Sequence, residues 1–542
     1  MNVARLVGTT LAGLGAEAVF GVVGSGNFEV TNALRSAGVA FTAARHEGGA
    51  ATMADAYARV SGKLALVSVH QGCGLTNALT GIGEAAKSRT PLLVLAADTA
   101  GSAVRSNFRV DQDAAVTAVG AVAERVHSAE SASADILRAY RKAVHERRTV
   151  VLNLPLDVQA QQVVEEHEVT RPVPPLPVRP HPSAVAELAG VLAEAERPVF
   201  VAGRGALAAG GELAGLAAKC GALLATSAVA NGLFTEDPWS LGISGGFASP
   251  LAVELISGAD LVVGWGCALN MWTMRQGSLI GSGTKVAQID DDASALGAHR
   301  PVDLGVVGDV ALTARDVAAG ARERAGYREP WIARRIAEHG RWRTESYVDL
   351  SSDERIDPRT LSIALDDLLP SERLVAVDSG NFMGYPSAYL SVPDEAGFCF
   401  TQAFQSIGLG LATAIGAALA RPDRLPVAAL GDGGALMAAA ELETVARLGL
   451  PMVLVVYNDA AYGAEVHHFG EGADLGAVRF PDTDLAAVAR GYGLSGITVR
   501  SVADLAGLRD WLDGARDRAL LVDAKIASDG GSWWLAEAFK GH

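Results

Sequence analysis

The sequence is poor in cysteine and has no excess of positive charge, and both absences exclude classes of protein. Its four cysteines lie far apart with no C-x-x-C pair, which excludes a common zinc site and a dense disulfide framework. The formal net charge of −16 argues against nucleic acid or an anionic membrane as a partner. We therefore expect neither kind of partner.

Long apolar stretches are also missing. No run of about 18 apolar residues could cross a bilayer, and the N-terminus lacks the basic region, apolar core and cleavage site of a signal peptide. Hydrophobic residues make up 49% of the chain and charged residues 20%, which is typical of an ordered globular protein. We therefore expect a soluble, unexported, cytoplasmic protein.

The 542 residues are enough for about three domains. Helical and strand patterns alternate in three regions, and a proline-rich connector at 171–182 separates the first two. Such alternation is typical of parallel sheets covered by helices. We predict an α/β protein of three doubly wound parallel-sheet domains, spanning residues 1–165, 183–325 and 357–542.

The most informative stretch is residues 427–465. A short apolar strand ends at Gly431-Asp432-Gly433-Gly434, a helical pattern covers 435–448, and a second buried strand covers 453–457. This predicts a βαβ crossover whose adjacent strands bring Asp432 and Asp459 to one edge of the sheet, where open α/β sheets bind ligands.

Two carboxylates at such an edge suit a magnesium ion that completes its shell with phosphates and water. The glycines after Asp432 let backbone N–H groups approach an anion at a helix N-terminus. Asp432 is also explained as a simple helix cap, but a second carboxylate at crossover distance favours the metal.

These residues resemble the thiamine diphosphate enzymes of the acetolactate synthase, pyruvate decarboxylase and benzoylformate decarboxylase superfamily, whose signature is G-D-G followed by N-N. The resemblance implies that Asp432, the residue at 459 and the Ala461 carbonyl hold the magnesium, and that the cofactor is bound by these residues with Gly431, Gly433, Gly434 and Tyr462. The family usually has asparagine where this chain has Asp459, so metal preference and cofactor affinity are open.

The first domain carries a second family signature, R-H-E-x-x-A-A-x-M-A-x-x-Y-A-R, from residue 45 to residue 59. From local features alone, Glu47 is equally a good first-turn helix residue. The resemblance implies instead that Glu47 hydrogen-bonds the aminopyrimidine ring of the cofactor and activates it.

The segment 70–77 aligns with a glycine-rich turn of the family, and this implies a catalytic His70 and a cofactor contact at Asn77. Ser25 matches a serine that contacts the substrate carboxylate in benzoylformate decarboxylase. The plainer explanations are a structural histidine and a serine turn. The His-His pair of pyruvate decarboxylases is absent from 106–116.

The last domain supplies further candidates by resemblance. The loop with Ser379, Gly380 and Asn381 contacts the diphosphate, and Gln405 precedes Ile407, the apolar residue that bends the cofactor into a V. Glu465 stands where pyruvate and indolepyruvate decarboxylases have a catalytic glutamate, although a solvated helix face explains it equally well. Trp533, Trp534 and Phe539 form a lid over the site or pack against a partner subunit.

The central region contains Gly203-Arg204-Gly205, half of a dinucleotide fingerprint without the acidic residue that should follow about 20 positions later. Some family members bind flavin or ADP here, so FAD is allowed, but we expect this domain to be empty or structural.

The resemblance implies a non-oxidative decarboxylase or carboligase that uses thiamine diphosphate and magnesium on a 2-oxo acid, with a carbonyl compound as an optional acceptor. Its active sites would lie between subunits of a homodimer or homotetramer. The alternatives are an acetolactate synthase-type transferase, an inactive homologue that serves as a binding or regulatory subunit, and a nicotinamide oxidoreductase.

Overall fold

The structure is a computed structural model that describes residues 1–163, 170–470, 472–530 and 533–538. Its strands form three six-stranded sheets, and all strand pairs within the sheets are parallel. Helices connect the strands and cover the sheets. The predicted class, three doubly wound parallel α/β sheets, is confirmed.

The N-terminal sheet has the strand order β2-β1-β3-β4-β6-β5. Its core is formed by alanine, valine and leucine side chains from fully buried strands and the helices beside them. Its elements are α1 (Val3–Gly13), β1 (Ala18–Gly21), α2 (Phe28–Ser36), β2 (Ala40–Ala43), α3 (Glu47–Ser61), β3 (Ala65–Val69), α4 (Cys73–Lys87), β4 (Leu92–Asp98), α5 (Gln112–Ala118), β5 (Val122–Arg125), α6 (Ala132–Val144), β6 (Thr149–Pro155) and α7 (Leu156–Gln159).

The central sheet has the order β12-β11-β10-β7-β8-β9, so the chain reverses its direction of winding between β7 and β10. Open sheets of this order bind ligands at that switch point. Its elements are α8 (Pro182–Glu194), β7 (Pro198–Ala202), α9 (Gly210–Cys220), β8 (Leu223–Thr226), β9 (Ser240–Ile243), α10 (Pro250–Ser257), β10 (Leu261–Trp265), β11 (Lys285–Asp290), β12 (Leu304–Val307), α11 (Val310–Gly320) and α12 (Pro330–His339).

The C-terminal sheet has the order β14-β13-β15-β16-β18-β17. Its elements are α13 (Pro358–Leu368), β13 (Arg373–Val377), α14 (Gly384–Tyr389), β14 (Phe398–Phe400), α15 (Gly410–Ala420), β15 (Leu425–Gly431), α16 (Asp432–Met437), α17 (Glu441–Leu448), β16 (Val453–Asn458), α18 (Gly463–Phe469), α19 (Leu485–Gly491), β17 (Ser495–Val499), α20 (Ala506–Asp513), β18 (Leu520–Lys525) and α21 (Trp533–Ala538).

The N-terminal and C-terminal sheets share one topology. Numbered within its own domain, each sheet has the strand order 2-1-3-4-6-5. The helices that follow the second strand of each, α3 and α15, pack against each other, and the close approach of Gly416 to the Met53 carbonyl requires that glycine. The two outer domains therefore have the same strand order and contact each other through equivalent helices.

The predicted crossover is confirmed in its strands and wrong in its helix. β15 and β16 are adjacent and parallel, with Gly431 opposite Tyr457. The single helix expected over 435–448 is instead two helices, α16 and α17, separated at 438–440. The break allows Glu441 to begin a new helix with its carboxylate pointing at the N-terminal domain.

Arg59, the last residue of the N-terminal signature, fastens the two outer domains together. It is ion-paired with Asp55 at 2.6 Å and with Glu84 at 2.9 Å, and it donates a hydrogen bond to the Phe400 carbonyl at 3.0 Å. Burial disfavours the charged form of Glu84, but the Arg59 guanidinium and the N–H groups of Phe404 and Ala403 together lower the pKa of its carboxyl group. This contact fixes α3 against the C-terminal sheet.

Within the residues that the structure describes, no helix combines the length and the apolar character needed to cross a lipid bilayer.

Candidate active site

Asp432 and Asp459 meet at the carboxyl ends of β15 and β16, as the sequence predicts. Their carboxyl groups are hydrogen-bonded to each other, and burial raises the pKa of Asp432 to about 6. Burial and the neighbouring Asp432 raise the pKa of Asp459 to about 7. Among the described residues neither carboxyl group has a cationic partner, so the pair retains a proton where two isolated aspartates would be charged.

The loop after Asp459 is held in one conformation. Ala460 has a left-handed backbone (φ 58°), Ala461 donates its N–H to the Asp459 Oδ1 at 3.2 Å, and Phe480 donates its N–H to the Ala460 carbonyl at 2.8 Å. Tyr462 lies over Gly433, where a Cβ would approach the ring to 2.6 Å. The loop and the Gly431–Gly434 turn therefore pack as one unit.

Asn458 is not available as a ligand despite its place in the motif. It is buried, it donates to the Asp523 carboxylate at 2.8 Å, and its side-chain oxygen accepts the Ala460 N–H at 3.1 Å. Of the two residues Asn458 and Asp459, only Asp459 therefore remains as the predicted metal ligand.

Asp378 begins the loop 378–381, which the resemblance predicts to contact the diphosphate, but its part in holding the neighbouring loops could not be read from the sequence. It is fully buried and accepts the N–H groups of Ser379 at 2.8 Å, Gly408 at 3.0 Å and Leu409 at 3.2 Å. Burial raises its pKa to about 6. Its carboxylate also lies 2.3 Å from the Cβ position of Gly434, so it connects three loops. The only sequence signal was its position at the end of a buried strand.

The Ile407 loop is held by this carboxylate. Gln405 has a left-handed backbone (φ 60°), its carbonyl accepts a bond from the Ser379 hydroxyl at 3.5 Å, and Gly408 also has a positive φ of 86°. Ile407 is half-buried between these two turns. Ser379, Gly380 and Asn381 lie at the end of the adjacent β13, and Asn381 approaches Asp459 across Gly463.

Glu47 begins α3 at the end of β2. Its Oε2 accepts a hydrogen bond from the Asn77 amide at 3.0 Å, while no described residue donates to its Oε1. The side chain is half-buried. One carboxylate oxygen is therefore fixed and the other is left for a ligand.

His70 lies beside Glu47 at the end of β3. Its Nδ1 is 3.0 Å from the Gln71 carbonyl, its Nε2 is 3.5 Å from the Ser25 hydroxyl, and its ring packs on the edge of Phe108. A Cβ on Gly74 would lie 3.1 Å from the His70 Cβ and 3.4 Å from the Glu47 Oε1. Gly74 therefore leaves room for both side chains, which lie on either side of its Cβ position.

Glu465 lies on the first turn of α18 and is half-buried, so its carboxylate is in contact with solvent. No described residue forms an ion pair with it. Nearby, the Trp534 indole donates to the Asn381 carbonyl at 3.0 Å and packs on Tyr385. Trp533 stacks on Trp342 of the same chain. Phe539, the third aromatic residue of the expected lid, lies outside the described residues.

The central sheet has a cavity of about 560 Å³ at its switch point, between this sheet and the two outer domains. Its lining includes Gly203, Arg204, Ser227, Gly266 and Asp290. Arg204 is half-buried and donates to the Ser88 carbonyl of the N-terminal domain. The G-x-G turn therefore packs against a neighbouring domain, and the occupancy expected of this region stays a prediction.

The candidates form two groups rather than one. Glu47, Asn77, His70 and Ser25 share the edge of the N-terminal sheet, and the loops at 378–381, 405–408, 431–434 and 459–462 share the edge of the C-terminal sheet. No hydrogen bond among the described residues joins the Glu47 group to the Asp432 pair. The residues predicted to bind the cofactor are thus divided between the edges of the two outer sheets.

The chain matches the sequence models of three domains over most of its length. They are Thiamine pyrophosphate enzyme, N-terminal TPP binding domain (residues 1–116), central domain (185–317) and C-terminal TPP binding domain (378–524). The chain belongs to the thiamine pyrophosphate enzymes. The predicted resemblance is thereby confirmed.

Several relatives of this thiamine pyrophosphate enzyme match it along nearly their whole length. Sulfoacetaldehyde acetyltransferase of Roseovarius nubinhibens is 28% identical over 98% of this chain and 93% of its own. Probable 2-ketoarginine decarboxylase AruI of Pseudomonas aeruginosa is 31% identical over 91% and 88%. Probable acetolactate synthase large subunit of Methanococcus aeolicus is 25% identical over 85% and 81%.

The carboxylates of Asp432 and Asp459 fit a magnesium ion that is bound to a diphosphate. No group of three or more histidine, cysteine, aspartate or glutamate side chains in the described ranges could hold a metal by itself. Magnesium needs only one or two carboxylates when phosphates and water complete its shell. The Asp432 and Asp459 pair, which lacks a cation of its own, meets that requirement.

Proposed function

We propose that this enzyme is a non-oxidative, magnesium-dependent thiamine pyrophosphate decarboxylase or carboligase that acts on a 2-oxo acid. The observation that carries the proposal is the placement of Glu47 and His70 next to each other beside Gly74. A carboxylate and a group able to transfer protons are thus neighbours at the edge of the N-terminal sheet.

The cofactor supplies the electron sink that decarboxylation requires. Glu47, whose Oε1 has no donor among the described residues, would accept a hydrogen bond from the cofactor, and Ile407 would pack against it. Asp432, Asp459 and the Ala461 carbonyl would hold the magnesium.

The hydrogen bonds of His70 define its tautomer. Because a carbonyl oxygen only accepts, the Nδ1 facing Gln71 carries the proton, and Nε2 presents its lone pair to Ser25. A neutral histidine in this tautomer takes a proton from the substrate side and returns it later. Ser25, which is exposed, is free to donate to a substrate carboxylate instead.

Acyl transfer to a second carbonyl compound is the second candidate reaction. It is supported by the full-length likeness to proteins named as an acetyltransferase and an acetolactate synthase. Glu465, half-buried on α18, is the residue we expect to influence this outcome, since a proton donor there would favour release of an aldehyde over transfer.

We propose that two chains complete each active site. Apolar side chains are exposed beside both half-sites, including Phe28, Phe108, Leu436 and Met437. Apolar surface next to an incomplete site favours a second copy of the chain as its cover. A homodimer or homotetramer would place the Glu47 half of one chain against the Asp432 half of another.

The setting we propose is the cytoplasm. All four cysteines are free in the described structure, and three of them are buried. Free thiols are typical of a reducing compartment.

The test incubates the protein with thiamine pyrophosphate and magnesium against a panel of 2-oxo acids, with and without carbonyl acceptors. Carbon dioxide and the products are followed by mass spectrometry. Acetolactate as the sole product would favour the synthase alternative. Cofactor binding with no turnover on any acid would favour the inactive homologue, and NADH oxidation without added cofactor would favour the oxidoreductase.

Glu47→Gln tests the activating carboxylate directly. We expect turnover to fall at least 100-fold, because the amide cannot accept the proton that the carboxylate takes, while cofactor affinity measured by calorimetry changes little. Full activity in this variant would refute the assignment.

A further inference from the structure

Two buried glutamates occupy equivalent places in the two outer domains. Glu84 lies on α4, which follows the third strand of the N-terminal sheet, and Glu441 lies on α17, which follows the third strand of the C-terminal sheet. Their exposed fractions are 0% and 3%. Buried carboxylates are stable only where donors or cations compensate them.

Glu441 finds its donors in the other domain. Its Oε1 accepts the backbone N–H of Arg45 at 2.9 Å and that of His46 at 3.0 Å, and its Oε2 accepts the Thr444 hydroxyl at 2.6 Å. The two N–H groups immediately precede Glu47. A Cβ on Gly49 would lie 2.6 Å from the same Oε1, so that glycine makes the approach possible.

Glu84 makes the reciprocal contact. It accepts the N–H of Ala403 at 3.1 Å and that of Phe404 at 2.6 Å, just before the Gln405 turn that leads to Ile407. Unlike Glu441, it also has a cationic partner in Arg59. Each glutamate therefore caps the loop that carries a cofactor-facing residue of the opposite domain.

Electrostatics explains why a carboxylate suits the Glu441 position. It is the first residue of α17 and it lies against the start of α3, so the positive ends of two helices face it. A negative charge there stabilises both helix starts and fixes the direction in which the next side chain, Glu47, leaves the backbone.

We propose that Glu441 is a positioning residue that sets the orientation of Glu47, and hence the rate at which the bound cofactor loses its C2 proton. It acts through the Arg45 and His46 N–H groups across the interface of two domains of one chain. The proposal rests on the activating role of Glu47 within the proposed function, but it does not depend on which oxo acid is the substrate.

The test measures exchange of the cofactor C2 proton for deuterium by NMR, at saturating cofactor and magnesium, together with cofactor affinity by calorimetry. In Glu441→Ala we expect exchange to slow at least tenfold while the cofactor Kd stays within about threefold. Glu441→Gln, which keeps an acceptor oxygen, should recover at least a third of the wild-type exchange rate.

Glu443→Ala is the matched control. Glu443 lies on the same helix as Glu441. It pairs with the Arg45 side chain but does not touch the N–H groups before Glu47. It should exchange at the wild-type rate. Equal losses in Glu441→Ala and Glu443→Ala, or wild-type exchange in a cofactor-bound Glu441→Ala, would overturn the proposal.

If Glu441→Ala does not fold, the isosteric variant Thr444→Val provides the test of the proposal. It removes the hydroxyl that fixes the Glu441 carboxylate, so exchange should slow two- to fivefold, and wild-type exchange in the folded variant would overturn the proposal. Because exchange requires no substrate, normal exchange without oxo-acid turnover would count against the proposed function alone.

Discussion

Replacement of Asp459 by asparagine should change how the cofactor-free protein binds a metal ion. The wild-type pair with Asp432 retains a proton between pH 6 and pH 7, because burial raises the pKa of Asp432 to about 6, and burial together with the Asp432 charge raises the pKa of Asp459 to about 7. A metal ion must displace that proton. Metal affinity should therefore increase with pH up to about 7 and then level off.

The size of the effect follows from the linkage between proton and metal. Displacement of protons from groups with pKa values of about 6 and about 7 makes the affinity about 500-fold higher at pH 7 than at pH 5, which is roughly 3.7 kcal/mol. The raised pKa values also mean that the pair favours the folded state less as pH rises from about 4 to about 7, since the unfolded carboxyl groups titrate near 3.9.

Asp459→Asn removes the carboxyl group with the higher pKa, while burial still raises the pKa of Asp432 to about 6. The affinity should then rise only about tenfold between pH 5 and pH 7, and at pH 8 it should be at least tenfold weaker than wild type because one anionic ligand is lost.

Calorimetric titration with Mn²⁺ or Mg²⁺, in buffers of different ionisation enthalpy, counts the protons released. We expect about 1.4 protons for the wild type at pH 6 and about 0.5 for Asp459→Asn. The reasoning is refuted if the wild type releases no proton, or if both proteins show the same pH dependence.

Two further substitutions test the Glu47 pocket. His70→Phe should lower turnover at least tenfold and leave cofactor and metal affinity unchanged, since His70 makes no contact with the Asp432 pair; weaker cofactor binding with unchanged kcat would contradict the proton-transfer role. Gly74→Ala should lower turnover about tenfold, because its Cβ enters the gap between His70 and Glu47 at 3.1 and 3.4 Å. Gly62→Ala at the exposed end of α3 is the control for general loss of stability, because its φ of 69° strains an alanine there although a Cβ meets no atom within 4 Å.

The strand-end residues could be predicted because strand ends are local. A buried apolar run followed by glycine and aspartate places Asp432 at a sheet edge whatever the rest of the chain does, and the parallel register with β16 follows from the crossover. The resemblance added Glu47, which local features alone left ambiguous with a first-turn helix residue.

Asp378 and Glu441 could not be found in the same way. The role of Asp378 depends on three loops that are distant in sequence, and the role of Glu441 depends on the packing of one domain on another. The helix break at 438–440 was missed for a related reason. Alanine-rich sequence favours a continuous helix. The tertiary contact of Glu441 with α3 favours instead the division into α16 and α17.

The common strand order of the outer sheets bears on the origin of this enzyme. Two domains with the order 2-1-3-4-6-5, joined through equivalent helices and reciprocal glutamate caps, are what duplication and fusion of one ancestral gene leave behind. An ancestor with a single such domain would have paired with itself around identical clefts. After fusion, one copy could keep carboxylates for a metal while the other gained Glu47 and His70. The two chemically different ends of the cofactor would then bind to two domains that descend from one symmetric protein.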